Sequence, residues 1–222
     1  MNDKVVVLIP CFNEESTIRQ VIKDFKSALP QAIIYVYDNN STDNTAEIAS
    51  QCHVEVIPEP EQGKGAVVKS MFADIDADIY LMVDGDSTYS AAYADQLVEL
   101  IKNGYDMAIG DRLSNDHNNR VFHGFGNKLV NFLVNKKFKS NLPDIMTGYR
   151  AFNKKFVKEF IPKTKGFEIE TEMSIFAINN NMKVGSVPVT YEDRPVGSTS
   201  KLRTISDGFK IISYIFRQKR IK

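Results

Sequence analysis

Residues 79–86, IYLMVDGD, decide the fold of this chain: a short apolar run ends in two aspartates that flank a glycine. The run Ile79–Val83 indicates a buried strand. Lys4–Pro10, KVVVLIP, has a similar pattern near the start of the chain, and its β-branched residues are typical of a strand buried on both faces. Ligands of parallel sheets bind beyond the carboxyl ends of the strands, so Asp84 and Asp86 are the first candidate site residues.

Short apolar runs and helical patterns alternate through the first half of the chain. This alternation indicates right-handed βαβ units and a largely parallel sheet, which is an α/β fold. The expected helix caps are Ser16 for the first helix and Ser41 or Thr42 for the second. The predicted strands are Lys4–Pro10, Ala32–Tyr37, Val54–Ile57, Ile79–Val83 and Tyr105–Ile109, and the predicted helices are Ser16–Ala28, Thr42–Gln51, Gly65–Ala73 and Ala92–Lys102.

Length and composition place the chain among ordinary globular proteins. Its 222 residues, 43% apolar and 25% charged, exclude disorder, collagen and coiled coil. Without a low-complexity linker, we expect one domain over residues 1–222, with halves 1–111 and 112–222. The longest apolar run is far shorter than the roughly 20 residues of a membrane span. Two cysteines without paired spacing, Cys11 and Cys52, indicate a reducing compartment and no structural zinc site, so we expect a cytosolic protein, soluble or attached to a surface.

Charge is distributed unevenly along the chain, although the formal net charge is zero. Residues 1–111 contain 7 Lys/Arg and 19 Asp/Glu, whereas residues 112–222 contain 21 Lys/Arg and 9 Asp/Glu. One interpretation is chance clustering on solvated faces. The other is that the second half faces an anionic partner, either phosphates or a lipid surface.

Polar clusters follow four of the predicted strands and converge on one edge of the sheet, as expected of a binding site. Two carboxylates at i and i+2 can approach one hard divalent ion, Mg²⁺ or Mn²⁺, that also takes phosphate oxygens from a substrate. Neither a dinucleotide-binding glycine motif nor a P-loop occurs in the sequence. The four clusters are Asn13-Glu14, Asp38-Asn39-Asn40-Ser41, Asp84-Gly85-Asp86 and Asp111-Arg112.

Two further residues have both a structural and a functional interpretation. Asp38 lies in an Asx-rich turn, but at a strand end its carboxylate could also accept a hydrogen bond from a nucleobase or a ribose hydroxyl. Lys64, between Gly63 and Gly65, is either a flexible loop lysine or a contact to a phosphate or a base.

Several motifs in the same order resemble the family 2 glycosyltransferases of GT-A fold, and those of the second half resemble the dolichol- or polyprenyl-phosphate glycosyltransferase branch. The resemblance covers about residues 4–210. Two positions differ: Thr88 stands where relatives often carry Gln, and Asp111 where they often carry Ser. The motifs are Pro10-x-Phe12-Asn13-Glu14, Asp38–Ser41, Gly63-Lys64-Gly65, Asp84-Gly85-Asp86, Gly110-Asp111-Arg112, Asp144 with Thr147–Phe152, Gly166–Glu170, and Arg194-Pro195 with Gly197–Leu202.

The resemblance implies an inverting transfer of a sugar from a nucleotide sugar, with a divalent metal, Mg²⁺ or Mn²⁺, as cofactor. It places Asp84 and Asp86 at the metal and the pyrophosphate. The residues expected to bind the nucleotide sugar are Pro10, Asn13, Glu14, Asp38, Asn40, Lys64, Asp84, Gly85, Arg194 and Lys201, with Arg112, Arg194 and Lys201 near the diphosphate or an acceptor phosphate.

The chemistry of the acceptor can be argued from charge. A departing nucleoside diphosphate needs a metal and Arg or Lys side chains to stabilise its phosphate oxygens. An acceptor hydroxyl also needs a carboxylate base, whereas a lipid phosphate is already an anion. The second half has few carboxylates beyond Glu168, Glu170 and Glu172, which a helix N-terminus explains. A phosphate acceptor is therefore favoured.

Asp144 is the best remaining candidate for positioning or base work in the second half. Arg150 is a candidate ion-pair partner for it. Together with Asp86 and Arg112, Asp144 forms the predicted catalytic set.

Two amphipathic stretches complete the second half, Val121–Phe138 and Ile205–Lys222. Core packing is the usual explanation for such apolar stripes. Their phenylalanines and basic flanks favour instead a position in a membrane interface, so we expect peripheral attachment to an anionic membrane at its cytoplasmic face. No nucleic-acid partner is expected, and a homo-oligomer stays open.

The sequence thus predicts a GT-A-like enzyme that transfers a hexose or N-acetylhexosamine from a UDP- or GDP-sugar to a polyprenyl phosphate. The alternative acceptor is a saccharide hydroxyl in polysaccharide or glycoconjugate assembly. A sugar-nucleotide pyrophosphorylase would need a Gly-rich loop with Arg and Lys where the chain has the acidic Cys11–Glu15. A non-catalytic membrane adaptor would not need the polar clusters at the strand ends.

Overall fold

The computed structural model of the chain describes residues 3–114, 121–195, 201 and 204–221. It contains seven strands: β1 (Val5–Cys11), β2 (Ile33–Asp38), β3 (Glu55–Pro58), β4 (Ile79–Met82), β5 (Met107–Asp111), β6 (Arg150–Asn153) and β7 (Val184–Pro188). The helices are α1 (Ile18–Ala28), α2 (Thr45–Gln51), α3 (Lys64–Asp74), α4 (Ala94–Lys102), α5 (Val121–Phe138), α6 (Lys154–Glu159), α7 (Ile169–Asn179) and α8 (Thr204–Arg217).

The strands form one sheet in the order β3-β2-β1-β4-β6-β5-β7. All neighbouring pairs are parallel except those of β6, which is antiparallel to both β4 and β5. Strands from both halves of the chain therefore share one sheet. The predicted α/β class and the five predicted strands are confirmed, with strand bounds that move by one or two residues.

β6 and β7 are absent from the predicted strands, and their composition explains why. β6 begins at Arg150, inside the motif Thr147–Phe152, and a charged residue breaks the apolar pattern that marks a buried strand. β7, VGSVP, contains Gly, Ser and Pro, which are typical of turns and strand edges. The antiparallel insertion of β6 between β4 and β5 thus has no signal in the periodicity.

The expected capping residues were wrong for the first two helices. α1 begins after Thr17 rather than at Ser16, and α2 begins after Asn44 rather than near Thr42. Neither N-cap side chain makes a capping hydrogen bond. The hydroxyls of Thr17 and Ser41 instead contact residues that follow other strands. Thr17 Oγ1 donates to the Gly85 carbonyl at 2.7 Å, and Ser41 Oγ accepts from the Asn13 N–H at 2.9 Å.

The core lies in two layers on the two faces of the sheet. Val7 and Ile9 of β1 pack in the layer of α1, α2 and α4, while Val6 and Leu8 pack in the layer of α3, α6 and α7. All four side chains have no exposed surface, as expected of a strand buried on both faces. This burial fixes the direction of β1 and β4, and with it the edge at which their polar ends meet.

α5 and α8 pack together in a third apolar cluster, which corrects part of the membrane interpretation. Val134 and Phe138 of α5 meet Ile211 and Ile215 of α8, and all four are buried. The ordinary explanation, core packing, accounts for these positions because the two amphipathic helices cover each other and α7. The predicted stripe residues Val121, Phe122 and Phe125 lie outside the described side chains.

The opposite sides of these helices expose aromatic residues. Phe132, Phe209 and Phe216 are 59%, 74% and 63% exposed. Lys136 lies over the Phe132 ring and Lys137 over the Phe216 ring, at 5.3 and 5.6 Å from the centroids. We call these three phenylalanines the α5–α8 aromatic face. Within the ranges that the structure describes, no helix has the length and apolar content to span a bilayer.

The packing of α8 predicts that substitutions on its buried and exposed sides lower the free energy of unfolding by different amounts. Ile215→Ala should lower the free energy of unfolding by about 2–4 kcal/mol, because it opens a cavity in the third cluster. Phe216→Ala, on the exposed side of the same helix, should change it by less than about 1 kcal/mol. Urea unfolding followed by circular dichroism measures both. Equal costs would mean that α8 does not dock through Ile215.

Candidate active site

A cleft of about 1070 Å³ opens at the carboxyl ends of β1 and β4. Its walls come from both halves of the chain and include the loop before α3, described residues after β7 and the first turns of α8. The sequence-predicted residues that line it are Pro10, Glu14, Lys64, Asp84, Gly85, Asp86, Arg112, Arg194 and Lys201.

Asp86 lies on the cleft floor with both carboxylate oxygens in use. Oδ1 accepts hydrogen bonds from the N–H and the hydroxyl of Thr88, at 3.1 and 2.5 Å, and Oδ2 pairs with the guanidinium of Arg194. Thr88, which stands where relatives often carry Gln, therefore orients Asp86. The Asp86 side chain is only 4% exposed.

Asp84 is held by the buried ammonium of Lys64. Lys64 Nζ lies 2.5 Å from Asp84 Oδ1 and 2.5 Å from Glu170 Oε1 of α7. Burial alone would lower the pKa of Lys64, but the two carboxylates outweigh it and raise that pKa above the ordinary value. Lys64 is thus not a flexible loop lysine; it lines the cleft, and its contact with a phosphate or a base stays a prediction. A Cβ on Gly148 would collide with the Asp84 carboxylate, so the glycine permits this packing.

Glu170 is a site residue that the sequence interpretation missed. Its position in the first turn of α7 looked like a helix N-terminus that favours acidic residues. Glu172 holds the loop before α7, because its carboxylate accepts the N–H groups of Lys163 and Thr164 at 2.9 Å each. Glu170 differs because the packing of α3 against α7 brings Lys64 to it, a contact between residues about a hundred positions apart.

Asn39 fixes the loop that carries Lys64. Its amide donates to the carbonyls of Glu59 and Glu61, and its Oδ1 accepts from the Gly63 N–H at 2.7 Å. Gly63 has a φ of 126°, and a Cβ there would collide with the backbone of Lys165. The neighbouring Asn40, predicted to bind the donor, is exposed and donates to the Pro60 carbonyl at 2.9 Å. The residue of this motif that lines the cleft is Asn39.

Asn13 and Asp38, also predicted donor contacts, do not line the cleft. Asn13 Oδ1 accepts from the Thr42 N–H at 2.8 Å. Asp38 Oδ2 accepts from the Ser41 N–H at 3.2 Å, whereas Asp38 Oδ1 is buried and has no hydrogen-bond partner among the described residues. These side chains hold the strand-end turns together, and their contact with a donor stays a prediction.

Arg112 and Asp144 form a bidentate ion pair. Nε of Arg112 lies 2.7 Å from one carboxylate oxygen of Asp144, and a terminal nitrogen lies 3.0 Å from the other. The guanidinium also sits over the ring of Tyr191, 5.2 Å from its centroid. Asp144 has no exposed surface and does not line the cleft, whereas Arg112 does. This geometry favours a positioning role for Asp144, the first of its two predicted roles.

The expected pairing of Arg150 with Asp144 was wrong. Arg150 is fully buried at the start of β6 and donates to the carbonyls of Thr147 and Ile145, at 2.8 and 2.6 Å, and to the Ser174 hydroxyl at 3.0 Å. Burial lowers the pKa of Arg150 to about 10. Its guanidinium therefore ties loop, strand and helix together through neutral acceptors.

Asp111 is a turn residue rather than an added charge on the cleft. Its Oδ1 accepts the N–H groups of Leu113 and Ser114 at 2.9 and 3.2 Å, and the residue is 2% exposed. It fixes the chain direction after β5 and so helps to aim Arg112.

Two cations from the second half of the chain, Arg194 and Lys201, pair in the cleft with carboxylates from the first half. Arg194 lies 3.4 Å and Lys201 3.0 Å from Glu14 Oε1, and Lys201 also donates to the Asn13 carbonyl at 2.7 Å. Burial raises the pKa of Glu14, although both cations oppose the change. The uneven charge of the two halves is therefore partly an internal match across the cleft.

Asp84 and Asp86 suit a divalent metal by their donor chemistry. Mg²⁺ and Mn²⁺ are commonly bound by one or two carboxylates together with substrate phosphates. Over the described ranges, no three His, Cys, Asp or Glu side chains form a complete protein cage for a metal. The pair on the floor of an open cleft fits an ion that arrives with a phosphate-bearing substrate.

This sheet, with acidic side chains beyond β4 and cations facing them, agrees with the glycosyltransferase of GT-A fold expected from the sequence. The chain belongs to glycosyl transferase family 2, whose family model matches residues 6–161.

Individual relatives agree with this assignment. The chain is 35% identical to glycosyltransferase AglJ of Haloferax volcanii over 98% of this chain and 73% of that protein. It is 29% identical to a dolichol-phosphate mannosyltransferase of Pyrococcus furiosus, over 96% of this chain and 63% of that protein. The fold matches glucosyl-3-phosphoglycerate synthase from Mycobacterium tuberculosis, in complex with Mn²⁺, UDP and glucosyl-3-phosphoglycerate, with a TM-score of 0.81 at 18% identity, covering 100% of this chain and 81% of that one.

The Lys64 cluster predicts a compensating pair of substitutions. Lys64→Met should lower the free energy of unfolding by about 3–5 kcal/mol, because it leaves two carboxylates close together in a partly buried site. Adding Glu170→Gln should restore part of that loss by removing one of the two charges. Urea unfolding measures both variants.

Lys165→Met is the matched control, since the ammonium of Lys165 pairs with Glu61 at an exposed position. It should leave stability almost unchanged. A double variant as unstable as Lys64→Met alone would show that Glu170 is not coupled to Lys64.

Proposed function

We propose that this glycosyltransferase is inverting and metal-dependent and moves a hexose or N-acetylhexosamine from a UDP- or GDP-sugar to a polyprenyl phosphate. The observation that carries the proposal is that one cleft is lined by Asp84 and Asp86 together with the cations Arg112, Arg194 and Lys201. A nucleoside diphosphate and an acceptor phosphate are both anions, and this cleft can neutralise two of them at once.

The leaving group would be stabilised from two sides. Asp84 and Asp86 would hold Mg²⁺ or Mn²⁺, which supplies positive charge to the phosphate oxygens when it is bound. Arg194, whose planar guanidinium suits two phosphate oxygens, would contact the same diphosphate. The Mycobacterium tuberculosis structure, which shares the fold and holds Mn²⁺ and UDP, supports a divalent metal here.

The engaged carboxylates of the second half support a phosphate acceptor. A hydroxyl acceptor requires a base, yet Asp144 is bound by Arg112 and Glu170 by Lys64. A phosphate needs only orientation by a cation, and Arg112 is held in place by Asp144 and Tyr191. The similarity to a dolichol-phosphate mannosyltransferase points the same way.

A saccharide hydroxyl remains the second candidate acceptor because of two other carboxylates. Asp193 and Asp207 both line the cleft, and Asp207 Oδ1 lies 3.2 Å from Lys210 Nζ. Either one could take the proton from a hydroxyl group that entered the cleft.

We place the enzyme at the cytoplasmic face of an anionic membrane, attached through the α5–α8 aromatic face. Phenylalanines flanked by lysines suit the boundary between acyl chains and anionic headgroups. Ser206, Asp207 and Lys210 of α8 line the cleft, so this face belongs to a helix that also forms the active site. A lipid acceptor would then approach the cleft from the surface that holds the enzyme.

The transfer reaction is tested by incubating the protein with Mn²⁺ or Mg²⁺, a panel of UDP- and GDP-sugars, and a polyprenyl phosphate. We expect lipid-dependent release of one nucleoside diphosphate, with the glycolipid detected by mass spectrometry. EDTA should abolish it, and Asp86→Asn should reduce it about 100-fold or more, because stabilisation of the leaving group is lost.

The contrary outcomes separate the candidates. Donor turnover that requires a saccharide rather than the lipid phosphate would establish the second acceptor. Full activity in EDTA would exclude metal dependence, and binding of no nucleotide sugar would overturn the proposed function.

The membrane proposal is tested by sedimentation with phosphatidylglycerol vesicles. Changing Phe132, Phe209 and Phe216 together to Ser should weaken binding about tenfold or more, since the apolar contact with the interface is lost. Ile33→Ser/Ile161→Ser is the control, because both residues are exposed but lie outside α5 and α8. Equal vesicle binding by the two variants would exclude the α5–α8 aromatic face as the attachment surface.

A further inference from the structure

The described part of the chain between β7 and α8 comprises residues 189–195 and 201, of which Asp193, Arg194 and Lys201 line the cleft. We call it the β7–α8 segment. Its beginning is fixed by backbone hydrogen bonds: the Val189 N–H donates to the Asp111 carbonyl, and the Glu192 N–H to the Thr88 carbonyl, both at 2.9 Å. Beyond this anchor, Arg194 and Lys201 reach the carboxylates of Asp86 and Glu14.

We infer that Arg194 and Lys201 act as internal counter-cations that occupy the acidic end of the cleft in the metal-free chain, and that Arg194 exchanges its carboxylate partner for phosphate when metal and nucleoside diphosphate bind together. The β7–α8 segment would then be a built-in competitor of the metal alone and a ligand of the metal–nucleotide pair. The identity of the nucleotide rests on the proposed function, whereas the competition for Asp86 does not.

The two carboxylate oxygens of Asp86 have different partners. Oδ1 faces the N–H and hydroxyl of Thr88, which belong to the same loop, so it is satisfied by the fold itself. Oδ2 faces Arg194. Arg194 must therefore release or share Oδ2 before that oxygen can serve as a metal ligand.

The positive charge of Arg194 opposes the binding of a metal at Asp86. A divalent cation placed at Asp86 would stand beside the Arg194 guanidinium, and like charges at such distances repel. Lys201, on the same segment, would be repelled as well, because it shares Glu14 with Arg194. Metal binding without a nucleotide should therefore weaken the hold of the whole segment on the cleft.

A bound diphosphate would offer Arg194 a new partner. It brings several negative charges to the same place and offers oxygens to a planar guanidinium, which favours bidentate contact. Since Glu192 stays bonded to Thr88 beside the aspartate pair, Arg194 remains within one short loop of the phosphates. Segment and metal then bind the same anion instead of competing for one carboxylate.

Linkage makes this inference testable, because coupling between two ligands is reciprocal. Removing Arg194 should strengthen the binding of Mn²⁺ to the nucleotide-free protein and weaken the binding of UDP or GDP at saturating Mn²⁺. A residue that only adds positive charge to the cleft would show both effects to the small extent that an exposed cation does, and one with a purely structural role would weaken the binding of both ligands. Opposite signs that clearly exceed those of an exposed cation of the cleft are specific to the exchange of partners.

The experiment compares the full-length wild type with Arg194→Gln. Mn²⁺ binding without nucleotide is measured from the free-ion signal in electron paramagnetic resonance, and UDP and GDP binding at saturating Mn²⁺ by isothermal titration calorimetry. We expect Mn²⁺ to bind Arg194→Gln about fivefold or more tightly, and the preferred nucleoside diphosphate to bind it about fivefold or more weakly, the usual range of such couplings. Urea unfolding confirms that the variant is folded.

Lys165→Gln is the matched control because Lys165 also lines the cleft but pairs with Glu61 rather than with Asp86. Its Mn²⁺ affinity should differ from wild type by less than about twofold, since an exposed lysine affects the metal only through screened long-range repulsion. An equal gain in Lys165→Gln would show a general effect of net charge and would overturn the inference.

The remaining outcomes are also decisive. Mn²⁺ affinity that is unchanged or lower in Arg194→Gln, including binding that stays undetectable in both proteins, would contradict the competition. A wild type that binds Mn²⁺ but neither UDP nor GDP would contradict the proposed donor, while the Mn²⁺ comparison would still decide the inference about Arg194.

Discussion

The ammonium of Lys64 is the contact on which the active site depends. It is enclosed between Asp84 and Glu170, and a buried charge that loses a partner costs several kcal/mol. Lys64 begins α3, Asp84 follows β4 and Glu170 lies in the first turn of α7. The three elements therefore cannot move apart without exposing a charge to solvent or leaving it buried and unpaired. Asn39 and Gly148 serve the same cluster, one by fixing the loop before Lys64 and the other by leaving room for Asp84.

Pairs between carboxylates and cations also cross the cleft, and they account for part of the uneven charge of the sequence. The acidic residues that follow β1 and β4 are met by cations from the second half, and the pairs between Glu14, Asp86, Arg194 and Lys201 all join the two halves. The pair of Arg194 with Asp86 engages the arginine and the carboxylate that we propose as ligands of the diphosphate and the metal. Binding by exchange of partners would make the β7–α8 segment sensitive to what the cleft contains.

The sequence could predict the parts of this site that depend on local pattern. Asp84 and Asp86 were predictable because an apolar strand ends there, and β1 to β5 because their runs alternate with helices. Glu170 and the Arg112–Asp144 pair were not, since each depends on the packing of elements that are distant in sequence. β6 was hidden for a related reason: its first residue is a buried arginine satisfied by carbonyl oxygens, and no apolar periodicity marks such a position.

α8 shows why periodicity could not decide between core and membrane. Ile211 and Ile215 lie on one side of the helix and are buried, whereas Phe209 and Phe216, seven residues apart, lie on the opposite side and are exposed. A helix that is apolar on two sides gives one mixed pattern, so both interpretations of the sequence had a physical basis. The buried side fixes the exposed one relative to the cleft, because Asp207 and Lys210 of the same helix form part of the cleft wall. The packing of Ile211 and Ile215 against α5 therefore sets the position of the exposed phenylalanines relative to the aspartates, and a membrane bound by those phenylalanines, as we propose, would lie at a distance from the cleft that this apolar contact determines.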